Sequence, residues 1–365
     1  MKKTILLTTL ASLVLTGCVK DESIELSTQL PKEISFGSPM MYNQTKSVDG
    51  EITGQQYPSG ENFVVFAVET DGDFRGWVAD NIIKQENGEN TFFPGEGVVV
   101  EKGANDNYWH ITGTTKYFWP DENNHKLTFA AYSPVRASQD ATHITYDDEG
   151  LKIEGFKIKE LPALQYDLLY SPRTVNATTS PVAINFKHAL SSIRFKFVKP
   201  TDGAASIVIN KVEIFGNIYN KGDFHQDIAA NSATSEGSPH WDGKSMEGTV
   251  TYTLFNGQFE VPAATGSEIG NIQSFLPIPQ NLTSDAKVRI VYKSKQQADD
   301  AYSNEITEEI PFIHFLTTGT SYTSEWQMGK RYTYHVHFGA LKEIYFSPSV
   351  TDWDPVDEAG VYTIQ

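Results

Sequence analysis

The chain has 365 residues, with 46 acidic against 29 basic side chains, a formal net charge of −17 and one cysteine. So acidic a molecule is repelled by nucleic acid and anionic lipid headgroups, which argues against nucleic acid as a partner. A single thiol permits neither an internal disulfide nor a thiolate metal cluster, and 39% hydrophobic with 12% aromatic residues excludes disorder as the origin of the charge.

Residues 1–17 read as a leader. Lys2 and Lys3 supply a positive start, and Ile5 to Leu15 form an apolar stretch well short of the roughly 20 residues needed to span a bilayer. Leu15-Thr16-Gly17-Cys18 resembles a bacterial lipobox, in which the cysteine becomes the lipidated first residue of the mature chain. Cys18 is therefore expected to be a lipid anchor in the outer membrane, followed by a polar, flexible tether over residues 18–32.

Beyond the tether the sequence predicts strands. Phe63 to Val68 is a continuous apolar run, the pattern of a strand covered on both faces. Lys152 to Lys159 alternates but slips phase at Gly155, which predicts a bulge. Asn176-Ala177-Thr178-Thr179-Ser180-Pro181 is polar and ends in proline, so the boundary between two domains is placed near 178–181, giving an N-terminal unit over 33–180 and a C-terminal unit over 181–365. Strict alternation then marks Ile193 to Phe197, Val288 to Lys293 and Tyr332 to Phe338, each with one buried and one wet face. Residues 228–246 are rich in Ser and Gly and read as a surface excursion. Helical periodicity is confined to short, poorly patterned stretches around 189–193 and 296–309, so the expected class is all-β, built from sandwiches.

Signatures of catalysis fail one by one. Gly243-Lys244-Ser245 has the tail of a phosphate loop, but position 238 is serine where a glycine is required. Gly95-Glu96-Gly97 lacks the third glycine of a dinucleotide fingerprint, holding Val100 there. Asp71 to Gly76 opens like a calcium loop, yet Arg75 stands in a ligand position and Ile82 replaces the bidentate glutamate. His335 and His337 share a strand face and offer two metal ligands without a local third; the preferred reading is the wet face of a half-buried strand, with Tyr332, Tyr334, Val336 and Phe338 facing inward. No cofactor and no metal site are expected.

Several segments together resemble the fimbrillin family, the type V pilins of Bacteroidetes, in its minor-fimbrillin-like branch. They are "ISFGSPMMYNQTKS" (34–47), "YFWPDENNHKLTFAAYSP" (117–134), "DLLYSP" (167–172), "INFKHALSSIRFKF" (184–197), "WQMGKRYTYHVHF" (326–338) and "IYFSPSVTDWDPV" (344–356). Lys20-Asp21-Glu22 is similar to the charged tag that sends lipoproteins of these bacteria to the outer face of the cell. The resemblance implies two transthyretin-like β-sandwich domains in tandem, other pilin subunits as partners, and a role in adhesion at the cell surface or in a fimbrium. It also implies a mechanism: a protease cuts after a basic residue in the first loop, the first strand leaves, and a strand of the next subunit fills the groove. The displaced strand would contain Ile34 and Phe36. No arginine lies between Cys18 and Arg75, so the cut would fall between Lys46 and Ser47; a plain solvated loop lysine is the alternative. Val361 and Ile364 would serve as a donor strand, or else as a native edge strand. Two other readings stand beside the polymerising pilin: an uncleaved accessory lipoprotein, and a surface lipoprotein that binds glycans through tryptophans such as Trp77, Trp109 and Trp241.

Overall fold

The computed structural model describes residues 32–41, 57–58 and 60–352, apart from 79, 87, 106–107, 122–123, 179, 200–205, 229–236, 263–268, 270–271, 273, 296, 298, 315–323 and 339–343; for 344–352 it describes the backbone alone. Cys18, Lys46, Ser47, Val361 and Ile364 lie outside the described residues. The strands of the first half are β1 (Met40–Met41), β2 (Phe63–Asp71), β3 (Val98–Lys102), β4 (Trp109–Ile111), β5 (His125–Ser133), β6 (His143–Asp147), β7 (Gly150–Lys157) and β8 (Leu169–Ala177). Those of the second are β9 (Asn185–His188), β10 (Ser192–Val198), β11 (Ser206–Phe215), β12 (Lys221–Asp227), β13 (Ser238–Ser245), β14 (Thr251–Glu260), β15 (Gln280–Asn281), β16 (Lys287–Lys295), β17 (Ile306–Pro311), β18 (Glu325–Trp326), β19 (Lys330–Phe338) and β20 (Ile344–Asp352). Among the described residues there is no α-helix, only three short 3-10 turns. Both stretches with weak helical periodicity contribute to strands instead, β10 and β17, because neither carries an apolar stripe broad enough to outweigh sheet pairing.

The largest sheet runs β1-β9-β8-β5-β2-β3-β4. Phe36 bridges Trp109 of β4 on one side and Val182, just before β9, on the other, so the segment leading into β1 closes this sheet on itself. Inside the ring lies one aromatic-rich core containing Phe36, Phe63, Phe93, Trp109, Phe129 and Phe186. The apolar run of β2 explains the layering. Phe63, Val65 and Ala67 face this ring, whereas Val64, Phe66 and Val68 face a second, larger core. A strand buried on both sides needs no polar alternation, as its sequence predicts.

The second core is continuous across both halves of the chain. The sheet β13-β12-β7-β6 packs Phe156, Phe224 and Trp241 together, and the same core reaches Phe195, Tyr252, Phe275 and Trp326. There β10-β19-β20 and β14-β11-β16-β17 form the remaining large sheets. On β10, Ile193, Phe195 and Phe197 are buried and Arg194 and Lys196 are not; on β19, Tyr332, Tyr334, Val336 and Phe338 are buried. Alternation read from the sequence therefore assigns both faces of these strands. The predicted bulge is present too: Gly155 has φ +63° and the β7–β12 register shifts between Gly222 and Phe224.

Pairing also crosses the polar stretch near 178–181. β9 bonds to β8 and to β1, and Val182, Ile184 and Phe186 enter the ring core. A buried hydrogen bond between His188 Nδ1 and Asp167 Oδ2, 2.7 Å long, lies at the same crossing. The segment read as a surface excursion corrects the sequence reading: it holds β13, whose residues 241–245 include the Gly-Lys-Ser tail in an extended strand that cannot wrap a phosphate.

Candidate functional site

The segment from Lys32 to Met41 is the candidate site. Glu33, Ser35 and Ser38 point toward solvent or lie part-buried, while Ile34 and Phe36 are 1% and 0% exposed. This is the two-residue period of a strand with one buried face. Hydrogen bonds hold both of its edges. On one side Ile34 N donates to Tyr117 O at 2.9 Å, and Phe36 and Trp109 exchange N–H···O bonds, each 2.9 Å. On the other, Val182 N donates to Ser35 O and Gly37 N to Val182 O, both at 2.9 Å, and Met40 N donates to Ile184 O at 3.1 Å.

Side chains tighten the same seam. Ser180 Oγ accepts from Ser35 N at 3.1 Å and from Trp119 Nε1 at 2.7 Å, so one hydroxyl joins the segment to both flanks. Phe36 stands edge-on to Phe63 and Phe129, with centroids 6.3 and 5.8 Å apart, the favoured arrangement for aromatic pairs. Nearby, Tyr57 contacts Phe63, Trp109 and Phe186 and shares a 2.6 Å hydrogen bond with Ser133; burial pushes its phenol up despite that bond. The site is an apolar slot with two open backbone edges, filled by a strand from the same chain.

A model of fimbrillin-like proteins matches residues 52–353. The chain belongs to the fimbrillin-like family. Proteins of that family are fimbrial and adhesin-type, non-enzymatic structural components of the cell surface. Solved structures similar to this fimbrillin-like chain include two of a "putative cell adhesion protein". The one from Bacteroides uniformis is 11% identical with a TM-score of 0.48, covering 88% of this chain and 99% of that one. The one from Bacteroides ovatus is 15% identical with a TM-score of 0.46, covering 90% and 99%. The tip fimbrial protein Mfa3 from Porphyromonas gingivalis, with a C-terminal truncation, is 9% identical with a TM-score of 0.35, covering 80% and 94%. No curated protein is matched by the chain.

The other sequence-level candidates in this fimbrillin-like chain resolve differently. His335 and His337 are half-buried on β19 with stacked rings 6.4 Å apart. Burial, then the Lys196 ammonium in register with it, pushes His335 down to about 4, and burial lowers His337 too. Of the tryptophans proposed as sugar platforms, Trp109 and Trp241 are 2% and 7% exposed and so not available for stacking, whereas Trp77 is part-buried against Phe74 and Tyr146. Sequence reading missed a group on β12 and β13, His225, Asp227 and His240, whose donor atoms lie within 4.8 Å of one another. The signal was present as two His-x-Asp stretches, 225–227 and 240–242, but their meeting depends on a strand register that no local pattern encodes.

Proposed function

We infer that this chain is a fimbrial subunit precursor, or a fimbrillin-like surface lipoprotein, that joins other subunits by donor-strand addition. The observation that supports this is the doubly bonded seat of residues 33–41. Withdrawing that segment frees N–H and C=O groups along Trp109, Tyr117, Val182 and Ile184 and uncovers the slot under Ile34 and Phe36. Unpaired strand edges of this kind are templates for another strand. Ile34, Phe36 and Met41, all at most 2% exposed, contribute on the order of 5–9 kcal/mol by burial at roughly 1.5–3 kcal/mol each. A replacement strand with the same spacing recovers that energy, so a joint formed in this way is durable without a covalent bond.

In this reading Cys18 carries the lipid that anchors the precursor in the outer membrane. Cleavage between Lys46 and Ser47 releases the first strand, and the segment containing Val361 and Ile364 acts as donor to a neighbouring subunit. The chain is divided into two tandem sandwiches over 33–180 and 181–365, with β9 and the β12–β13 pair lending strands across the division. The test is the N-terminal residue and intact mass of the protein taken from the surface of its native cells. A chain beginning at Ser47 supports strand removal. A chain that keeps a lipidated Cys18 and residues 33–41 rules out exchange through this groove.

A further inference from the structure

The geometry points to a divalent transition-metal site, of the zinc class, on the outer face of the β12–β13 pair. His225 and His240 are directly opposed across the two strands, and so are Asp223 and Asp242. Because side chains two apart on a strand share a face, Asp223, His225 and Asp227 of β12 line up with Ser238, His240 and Asp242 of β13. One donor atom each from His225, Asp227 and His240 falls within 4.8 Å of the other two. Asp242 stands 3.7 Å from both His225 Nε2 and His240 Nε2, and the two imidazole rings are 5.5 Å apart, centroid to centroid.

Ligands about 2 Å from a tetrahedral ion lie about 3.3 Å from one another, so the group must contract by up to about 1.5 Å. The side chains have that freedom, since Asp227 is 50% and His240 41% exposed. The backbone does not need to move. On the opposite face Phe224, Gln226 and Trp241 are buried, and Trp241 Nε1 donates to Ala189 O at 2.6 Å, which pins both strands to the core. Rigid strands carrying half-exposed ligands are the arrangement a metal site requires.

The donor set chooses the ion. Two imidazoles with a carboxylate suit zinc and its neighbours, whereas calcium and magnesium take oxygen ligands in larger number. Lys152 lies in register with His225 on β7, but its ammonium is held by Asp147 at 3.2 Å and, more closely, by Glu149. Asp223, the remaining carboxylate on this face, accepts the backbone N–H of Gly155 at 2.6 Å. The inference is independent of strand exchange, since none of these residues touches the 33–41 segment.

The test uses the purified, untagged chain stripped with a chelator and titrated with Zn²⁺ by calorimetry, with Co²⁺ as a spectroscopic probe. One ion per chain is expected, with the visible bands of four-coordinate Co²⁺. His225→Gln and His240→Gln should each abolish binding, and Asp242→Asn should weaken it about 10–100-fold. The chain has nine histidines, so His335→Gln/His337→Gln is the control and should bind as the parent does. Circular dichroism of the metal-free variants checks that the fold is kept. Absence of stoichiometric zinc binding, or binding unchanged in folded His225→Gln and His240→Gln, overturns the site.

Discussion

The two cores of this molecule are built on different principles. The larger one is assembled from strands spread from Val64 to Phe338, and no single segment closes it. The ring core under β2 and β5 is sealed by one short segment, residues 33–41, bonded along both edges. One short segment thus borders the ring core along both edges, whereas the larger core draws on many strands from both halves of the chain.

That contrast can be broken by experiment. The largest effect is expected from a chain beginning at Ser47. It should lose on the order of 5–9 kcal/mol of burial energy, bind a hydrophobic dye at the opened slot, and regain stability when a synthetic peptide of residues 32–41 is supplied. Loss of all near-UV circular dichroism in the truncated chain would show the two cores to be one cooperative unit. Next, Phe36→Ala and Phe195→Ala make the same deletion in the two cores, and each should cost about 3–5 kcal/mol in urea unfolding. A much smaller cost at Phe36 would mean that the slot collapses around the missing ring, and would argue against a preformed groove.

A third test probes what ties the halves together. Gly150 has φ +121°, and a Cβ there would lie 2.1 Å from Gln226 O. Gly150→Ala should cost at least about 1–3 kcal/mol and loosen the β7–β12 pairing, seen as faster hydrogen exchange along Lys221–Asp227.

Acid should act on the larger core. His335 titrates at about 4 in the folded chain against about 6.5 when unfolded. Between those values the unfolded state binds more protons, so the stability His335 contributes is present above about pH 6.5 and lost as pH falls toward 4. His337, which faces it, is lowered in the same direction, and the Lys196 ammonium on β10 adds to the lowering of His335. Melting temperature followed from pH 7 to pH 4.5 should therefore fall less steeply in His335→Gln than in the parent. The smallest effect belongs to the Lys116–Glu33 pair, 2.6 Å apart with both side chains about half exposed. Glu33→Ala should change stability by no more than about 1 kcal/mol; a larger change would mean that side-chain charge, rather than the ladder and Ile34 and Phe36, seats the segment.

Much of this arrangement is written in local pattern. The unbroken apolar run at Phe63–Val68 announces a doubly covered strand, and the alternations at Ile193–Phe197 and Tyr332–Phe338 assign inward faces residue by residue. The phase slip at Gly155 locates a bulge, whereas the strand of Ile34 and Phe36 is reached only through the resemblance to the fimbrillin family. What stays illegible is non-local. β13 is built from Ser, Pro, His, Trp, Asp, Gly and Lys, a composition that reads as loop, and becomes a strand because β12 offers an edge and Trp241 finds a pocket. β9 follows a polar, proline-ended stretch, yet pairs back across it because Val182, Ile184 and Phe186 complete the ring. His225 and His240 come together through the register of those same strands, and Trp109 and Trp241 are buried by partners far away in sequence.

The parallel pairing of β10 with β19, Ser192–Val198 against Arg331–His337, sets an order of events. Contacts between segments so distant along a chain form late, because the intervening loop must first be closed. Phe195 stacks on Tyr334 and Phe197 on Phe338, so these rings lack those partners until β19 has been delivered. A chain emerging from its N-terminal end can complete the ring, whose parts are all in hand by His188, while its other half waits for Phe338.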